Sequence, residues 1–292
     1  MKEKNLLFSI GINIVITAVE MVVGLLIGSL AIISDAIHNL FDIGAMVMSL
    51  FGERASSKKI DARHSYGYKR AEILIALLNS TFLLVSITII GYKSIERLIH
   101  PQNISGGWML VMAVVAFIGN MVATKLLHDH VKESRNIKSA FLHSLQDALF
   151  SAGVIVTSLL ILFFNWQWAD AVISLVLSIL LAREAVMLIL ETVHVLMEGV
   201  PTNIHLDALK KDLLAINGVE AVNDLHVWNT GSNDTILTAH VIADLRSDRD
   251  YVERLKNIQD IIGSNYGVTH STIQLVPATE REELTKACKH CN

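Results

Sequence analysis

A chain of 292 residues that is 52% hydrophobic is too apolar for an ordinary soluble protein of its size. A formal net charge of −4 offers no basic surface for nucleic acid. The two cysteines, Cys288 and Cys291, sit together at the far end, which argues against a disulfide scaffold and fits a reducing compartment.

The apolar residues gather into long runs up to about residue 200. A bilayer core needs roughly 20 apolar helical residues. Six stretches reach that length: 6–27, 31–51, 73–92, 108–127, 140–164 and 168–190. The first is too long for a signal-peptide core, and no small-residue cleavage site closes it. Basic residues fall in alternate connections. Lys2 and Lys4 precede the first run; Arg54, Lys58, Lys59, Arg63, Lys69 and Arg70 follow the second; Lys132, Arg135 and Lys138 follow the fourth. The connections at 28–29, 100–107 and 165–167 hold neither Lys nor Arg, and Trp108, Trp166 and Trp168 mark that boundary as interfacial aromatics do. The charge asymmetry predicts a multi-pass protein of a cell (inner) membrane with both termini in the cytosol.

After Pro201 the texture becomes that of a small soluble domain. Helical spacing covers 206–216, strand-like runs cover 219–229 and 236–243, a second helix covers 251–262 with Gly263 closing it, and a last strand covers 271–276. The expected fold class is an α-helical membrane protein: six transmembrane helices, residues 1–200, then a cytosolic α+β domain of αββαβ, ferredoxin-like order, residues 201–292.

Ionisable side chains inside apolar spans cost several kcal/mol, so they are functional suspects by default. The second span holds Asp35, His38, Asn39 and Asp42; the fifth holds His143, Gln146 and Asp147. Both contain the pattern H-x-x-x-D, as His38 with Asp42 and His143 with Asp147. Residues four apart share a helix face. Each helix therefore offers one imidazole and one carboxylate in one direction, and two such faces make a tetrahedral set of two nitrogens and two oxygens suited to zinc. At about 1.5 Å per residue, both carboxylates lie roughly 15 Å in from the basic side. Ser144, Ala148 and Ala152 form a small-residue stripe that lets helices approach closely. A metal-free proton relay would use the same residue types.

The stretch Ser34-Asp35-Ala36-Ile37-His38-Asn39-Leu40-Phe41-Asp42 resembles the second-span signature of the cation diffusion facilitators, and 63–72 resembles that family's loop into its third span. The resemblance covers nearly the whole chain and implies a homodimeric transporter that exports zinc or related divalent ions in exchange for protons. Histidine with aspartate on both helices is similar to the zinc-preferring branch; an aspartate at the position of His38 more often accompanies cadmium transport. Asp61 and His64 match a weaker loop site of some relatives, which carry a further histidine where this chain has Tyr68. His226, His240 and His270 match histidines with which relatives bind zinc near the subunit interface, although Thr272 stands where those relatives have an aspartate. Cys288 and Cys291 add half a zinc site by their C-x-x-C spacing. Arg70 and Glu198 match a cation–anion pair at the membrane face.

The expected function is therefore a secondary active metal/proton antiporter rather than an enzyme, with zinc as substrate and regulatory ligand, protons as counter-ion, and the bilayer and a second copy as partners. A membrane metalloenzyme would need an open site with three protein ligands and a water. A zinc sensor would use the spans only as anchors, and buried ionisable residues in two spans argue against that. With zinc bound, two neutral histidines, two aspartates and the ion sum to zero charge; two protons per zinc is the upper limit for the exchange.

Overall fold

The computed structural model describes residues 2–56, 61–128, 135–231 and 234–281. Contacts divide the chain into two compact units, 1–50 with 76–189, and 51–75 with 190–292.

Among the described residues, six long helices occupy the first two-thirds of the chain: α1 (Lys2–Ile27), α2 (Leu30–Ser56), α3 (Arg70–Ile99), α4 (Gly106–His128), α5 (Arg135–Phe164) and α6 (Trp168–Leu196). Several run beyond the apolar stretches that announce them, because helical hydrogen bonding continues into polar flanks. Among the described residues, four segments are long and apolar enough to cross a membrane: Arg70–Ile99, Gly106–Leu126, Ser144–Phe164 and Trp168–Leu196. Several intrahelical hydroxyls are satisfied locally. Ser80, Thr124, Ser151, Ser158 and Ser174 each donate to the carbonyl four residues back, which keeps polar groups bonded inside an apolar layer.

Two apolar clusters organise this bundle. The first joins Ile32 of α2, Met109, Met112 and Ala113 of α4, and Val154 and Ile161 of α5, with Val23 and Ile27 of α1 packed against it. It lies at the end of the bundle that carries the 28–29, 100–105 and 165–167 connections. The second joins Leu83 and Ile87 of α3 to Leu181 and Ala185 of α6, with Ile37 and Phe41 of α2 and Phe150 of α5 against it. Helices α2 and α5 thus belong to both clusters.

The second unit carries α7 (Leu206–Leu214), β1 (Val219–Gly231), β2 (Asp234–Ala243), α8 (Asp248–Tyr266) and β3 (His270–Pro277). The sheet order is β1-β2-β3, with β1 and β2 antiparallel and β2 and β3 parallel. Leu209 and Leu213 of α7 and Ile258 and Ile262 of α8 share one core with Val222, Val227, Leu237, Val241 and Leu275 of the sheet. The sequence places the end of α8 at Gly263; the helix instead continues to Tyr266. Gly267 takes the left-handed conformation (φ 66°), and Gly267 and Val268 donate to the carbonyls of Gly263 and Ile262. Ile262 is buried in the core and the Tyr266 hydroxyl donates to Asp212 at 2.7 Å, so packing carries the helix one turn past the first available glycine.

Candidate metal centre

Helix α2 holds His38 and Asp42 one turn apart, with Nε2 and Oδ2 separated by 3.4 Å. His38 is buried, and the Asp42 side chain keeps 31% of its surface exposed. The imidazole meets the Phe150 ring of α5 edge-on, at 6.3 Å between centroids. Asp147 lies one turn before Phe150 and is fully buried. The turn of α2 that carries His38 is therefore seated against the turn of α5 that carries Asp147. His143 occupies the preceding turn of α5; its side chain lies outside the described residues. Among the described residues, no three His, Cys, Asp or Glu side chains already converge on a metal-ligating geometry.

Further acidic groups border this place. Asp35 is buried on α2, within electrostatic reach of Asp42 and Asp147. Glu20 of α1 is buried too; it accepts from the Asn39 amide at 3.4 Å and senses the charges of Asp35 and Asp147. Glu184 of α6 accepts from Gln146 at 3.1 Å and acts on the charge of Asp147. A search for paired H-x-x-x-D patterns passes over Glu20 and Glu184. The signal for both is a lone carboxylate within an apolar run.

Asp170 has a different role. Its carboxylate, fully buried in the first turn of α6, accepts from the Ser29 hydroxyl at 2.6 Å and from the backbone N–H groups of Leu30 and Ala31 at 3.0 and 3.2 Å. Those are orphan donors at the start of α2, which a cap must satisfy. Arg97 of α3 stands 3.6 Å from Asp170 and also donates to the Gly28 carbonyl, where φ is 71°. The network fixes the starting point of the helix that carries His38 and Asp42.

In the second unit, Asp61 and His64 form a closed turn. Asp61 accepts from the Arg63 and His64 backbone N–H groups at 2.8 and 2.7 Å and from the Tyr68 hydroxyl at 2.7 Å, with His64 Nδ1 at 3.2 Å. These donors, Tyr68 first, hold its carboxyl down at about 2. The His64 and Tyr68 rings lie 4.2 Å apart. Arg70 donates to Glu198 at 2.9 Å, and Lys69 pairs with Asp234 at 2.7 Å.

His226, His240 and His270 lie on β1, β2 and β3 as the sequence places them. The register pairs His226 with Thr238, and His270 with Ile236; these positions and His240 alternate on β2, so all three histidines share the sheet face opposite the helices. They are staggered along it: His226 stands diagonal to His240, and His270 lies a further step away. A bulge between Asn223 and His226 puts Asp224 in the left-handed region (φ 50°) and brings its Oδ1 to 2.8 Å from His226 Nε2. Cys288 and Cys291 lie outside the described residues.

Residues 6–197 match the cation efflux transmembrane domain, and residues 201–278 match the cytoplasmic domain of cation efflux proteins. The chain belongs to the cation efflux family, the cation diffusion facilitators. It is similar to the zinc transporter ZitB of Pectobacterium atrosepticum, 35% identical over 94% of this chain and 85% of that protein. It is 32% identical to the metal cation efflux system protein CzcD of Cupriavidus metallidurans over 99% of this chain and 91% of that one. A cadmium, cobalt and zinc/H(+)-K(+) antiporter of Bacillus subtilis is 31% identical over 93% of this chain and 88% of its own. In this cation efflux protein the four H-x-x-x-D residues fall within the matched transmembrane domain, and the three strand histidines fall within the matched cytoplasmic domain.

Proposed function

We propose that this chain exports a divalent metal ion, zinc foremost, from the cytosol in exchange for protons, binding it with His38, Asp42, His143 and Asp147. The observation that carries the reading is the seating of the buried His38 against the α5 turn of the buried Asp147, inside a helical transmembrane domain of the cation efflux family. The names of the relatives, zinc transporter and cadmium, cobalt and zinc antiporter, support the choice of ion. All six helices cross the membrane in this reading, the basic connections lie in the cytosol, and two copies assemble through the ferredoxin-like C-terminal domain.

The electrostatics of the site supply the coupling. Zinc requires neutral imidazoles and ionised carboxylates, so protons and metal compete for the same atoms. When the ion leaves, Asp42 and Asp147 remain in an apolar layer beside Asp35 and Glu20. Uncompensated carboxylates there are costly, and protons entering from the far side relieve the cost while displacing the metal outward. Two protons per zinc make the cycle electroneutral.

The test is zinc flux into liposomes holding the purified chain, with an imposed pH gradient and again with the gradient collapsed by an ionophore. Concentrative uptake that stops on collapse is expected. Undiminished uptake without the gradient would rule protons out as the coupling ion.

A further inference from the structure

Helix α4 carries no residue of the proposed ligand set, yet it buries an amide. Asn120 is 1% exposed, and among the described residues neither its Oδ1 nor its Nδ2 has a hydrogen-bond partner. Its backbone carbonyl accepts from the Thr124 hydroxyl at 2.7 Å, a bond that does not involve the side-chain amide. An orphaned buried amide is a standing loss of stability, and an apolar residue of the same size would remove it.

The packing of α4 on α5 shows where this amide sits. At one end, a side chain at Gly106 would meet Ile161 Cγ2, Leu162 N and Ser158 O at 3.0, 3.1 and 3.2 Å. At the other end, the His128 and Phe141 rings lie 5.8 Å apart. The two helices are thus antiparallel and in contact along their length. Fourteen residues on from Gly106 is Asn120, and fourteen back from Ile161 is Asp147. Counted from the other end, eight residues back from His128 and eight on from Phe141 pair Asn120 with residue 149. Both counts set Asn120 at the level of Asp147, within one helical turn. The neighbouring Ser144, Ala148 and Ser151 of α5 are buried and small, which permits close approach.

We propose that Asn120 is a fifth contact of the transport site, its Oδ1 ligating the divalent ion beside Asp147. This rests on the four-ligand reading above. Two nitrogens and two carboxylates satisfy zinc in a tetrahedron. A neutral amide oxygen widens the set toward cadmium, a larger ion that accepts more ligands, and Asn120 is then a residue that sets which ions pass.

The full chain in liposomes tests this with three variants, each given zinc or cadmium under one pH gradient. Asn120→Leu keeps the volume and removes the oxygen. Its apparent affinity for cadmium is expected to fall about fivefold or more relative to zinc. A folding defect lowers the number of working carriers for both metals and leaves that ratio alone. A ratio that stays unchanged, or shifts toward cadmium, overturns the proposal. Asn120→Ser carries the same readout should the leucine variant fail to insert. Asp147→Ala in the same liposomes separates the two failures. If it transports zinc normally, the four-ligand reading itself is wrong; if it is inactive while the Asn120 variants keep the wild-type ratio, only the fifth contact is wrong.

Discussion

Replacing Asp170 with alanine should loosen the whole first unit without touching a proposed metal ligand. The carboxylate accepts three hydrogen bonds from Ser29, Leu30 and Ala31 and neutralises Arg97, whose side chain is 15% exposed. Interhelical hydrogen bonds within membranes average about 0.6 kcal/mol, so three of them contribute roughly 2 kcal/mol. The loss of a partner for a buried charge adds more, since breaking a buried pair costs about 3–5 kcal/mol and Arg97 retains some contact with solvent and with the Gly28 carbonyl. A total near 4 kcal/mol corresponds to a fall of about 10 °C in apparent melting temperature for a domain of this size. The assay is thermal unfolding of the purified, detergent-solubilised chain, followed by size-exclusion recovery. Asp170→Ala combined with Arg97→Leu should recover part of the loss, because the second change removes the orphaned charge. A single variant that melts within about 2 °C of wild type, or a double variant as unstable as the sum of the singles, would refute the capping network as the anchor of α2.

Asp42→Ala and Asp147→Ala are each expected to abolish zinc flux while the protein still inserts, because each removes half the anionic charge of the proposed site; near-normal flux from either would remove that residue from the set. His38→Asp should retain zinc transport and gain cadmium, as a flexible carboxylate relaxes the geometric preference of a nitrogen ligand; an unchanged ratio of the two metals would take His38 out of the selectivity argument. Tyr68→Phe deletes the foremost of the donors that hold the Asp61 carboxyl at about 2. The turn's contribution is present above the unfolded carboxylate range near 3.9 and fades as pH falls toward 2 in the wild type. In the variant it should fade at higher pH, which titration of the Asp61 carboxyl by NMR would show as a raised midpoint; an unmoved midpoint would deny Tyr68 that role.

The sequence made the helices of the first unit legible because each apolar run is long, and it suggested the proposed site because His38-x-x-x-Asp42 and His143-x-x-x-Asp147 repeat at similar depth. It also placed the five elements of the second unit in order, since alternating runs there end at glycine and asparagine turns. What escaped it depends on tertiary neighbours. Gly263 and Gly267 are equal candidates for a helix stop, and only the buried Ile262 and the Tyr266–Asp212 bond select the later one. The bulge at Asp224 leaves no periodic trace. Asp170 sits in the first turn of α6, where an acidic residue suits that helix's own dipole, and nothing local reveals that it caps α2 instead. Asn120 is one polar residue in an apolar run until the register of α4 on α5 sets it at the level of Asp147, within one helical turn.

The distribution of polar and apolar residues along α2 and α5 bears on how an ion would pass. Toward the end with the short connections, Ile32, Met109, Met112, Val154 and Ile161 close the bundle with apolar side chains. Asp42, one turn beyond His38 toward the basic end, keeps nearly a third of its side-chain surface exposed. An ion at the proposed site between His38 and Asp147 would therefore have the carboxylate of Asp42 on one side and an apolar seal on the other. Passage requires the seal to part, and packed interfaces part by switching between discrete arrangements rather than by stretching. Helices α2, α5 and α6 each contribute to the seal and to the second cluster, so a shift of α2 and α5 would have to slide along α6 at both levels. The buried Ser144, Ala148 and Ser151 give α5 a smooth surface for such a shift. Metal and protons then need only favour different arrangements for binding at one site to drive release at the other end.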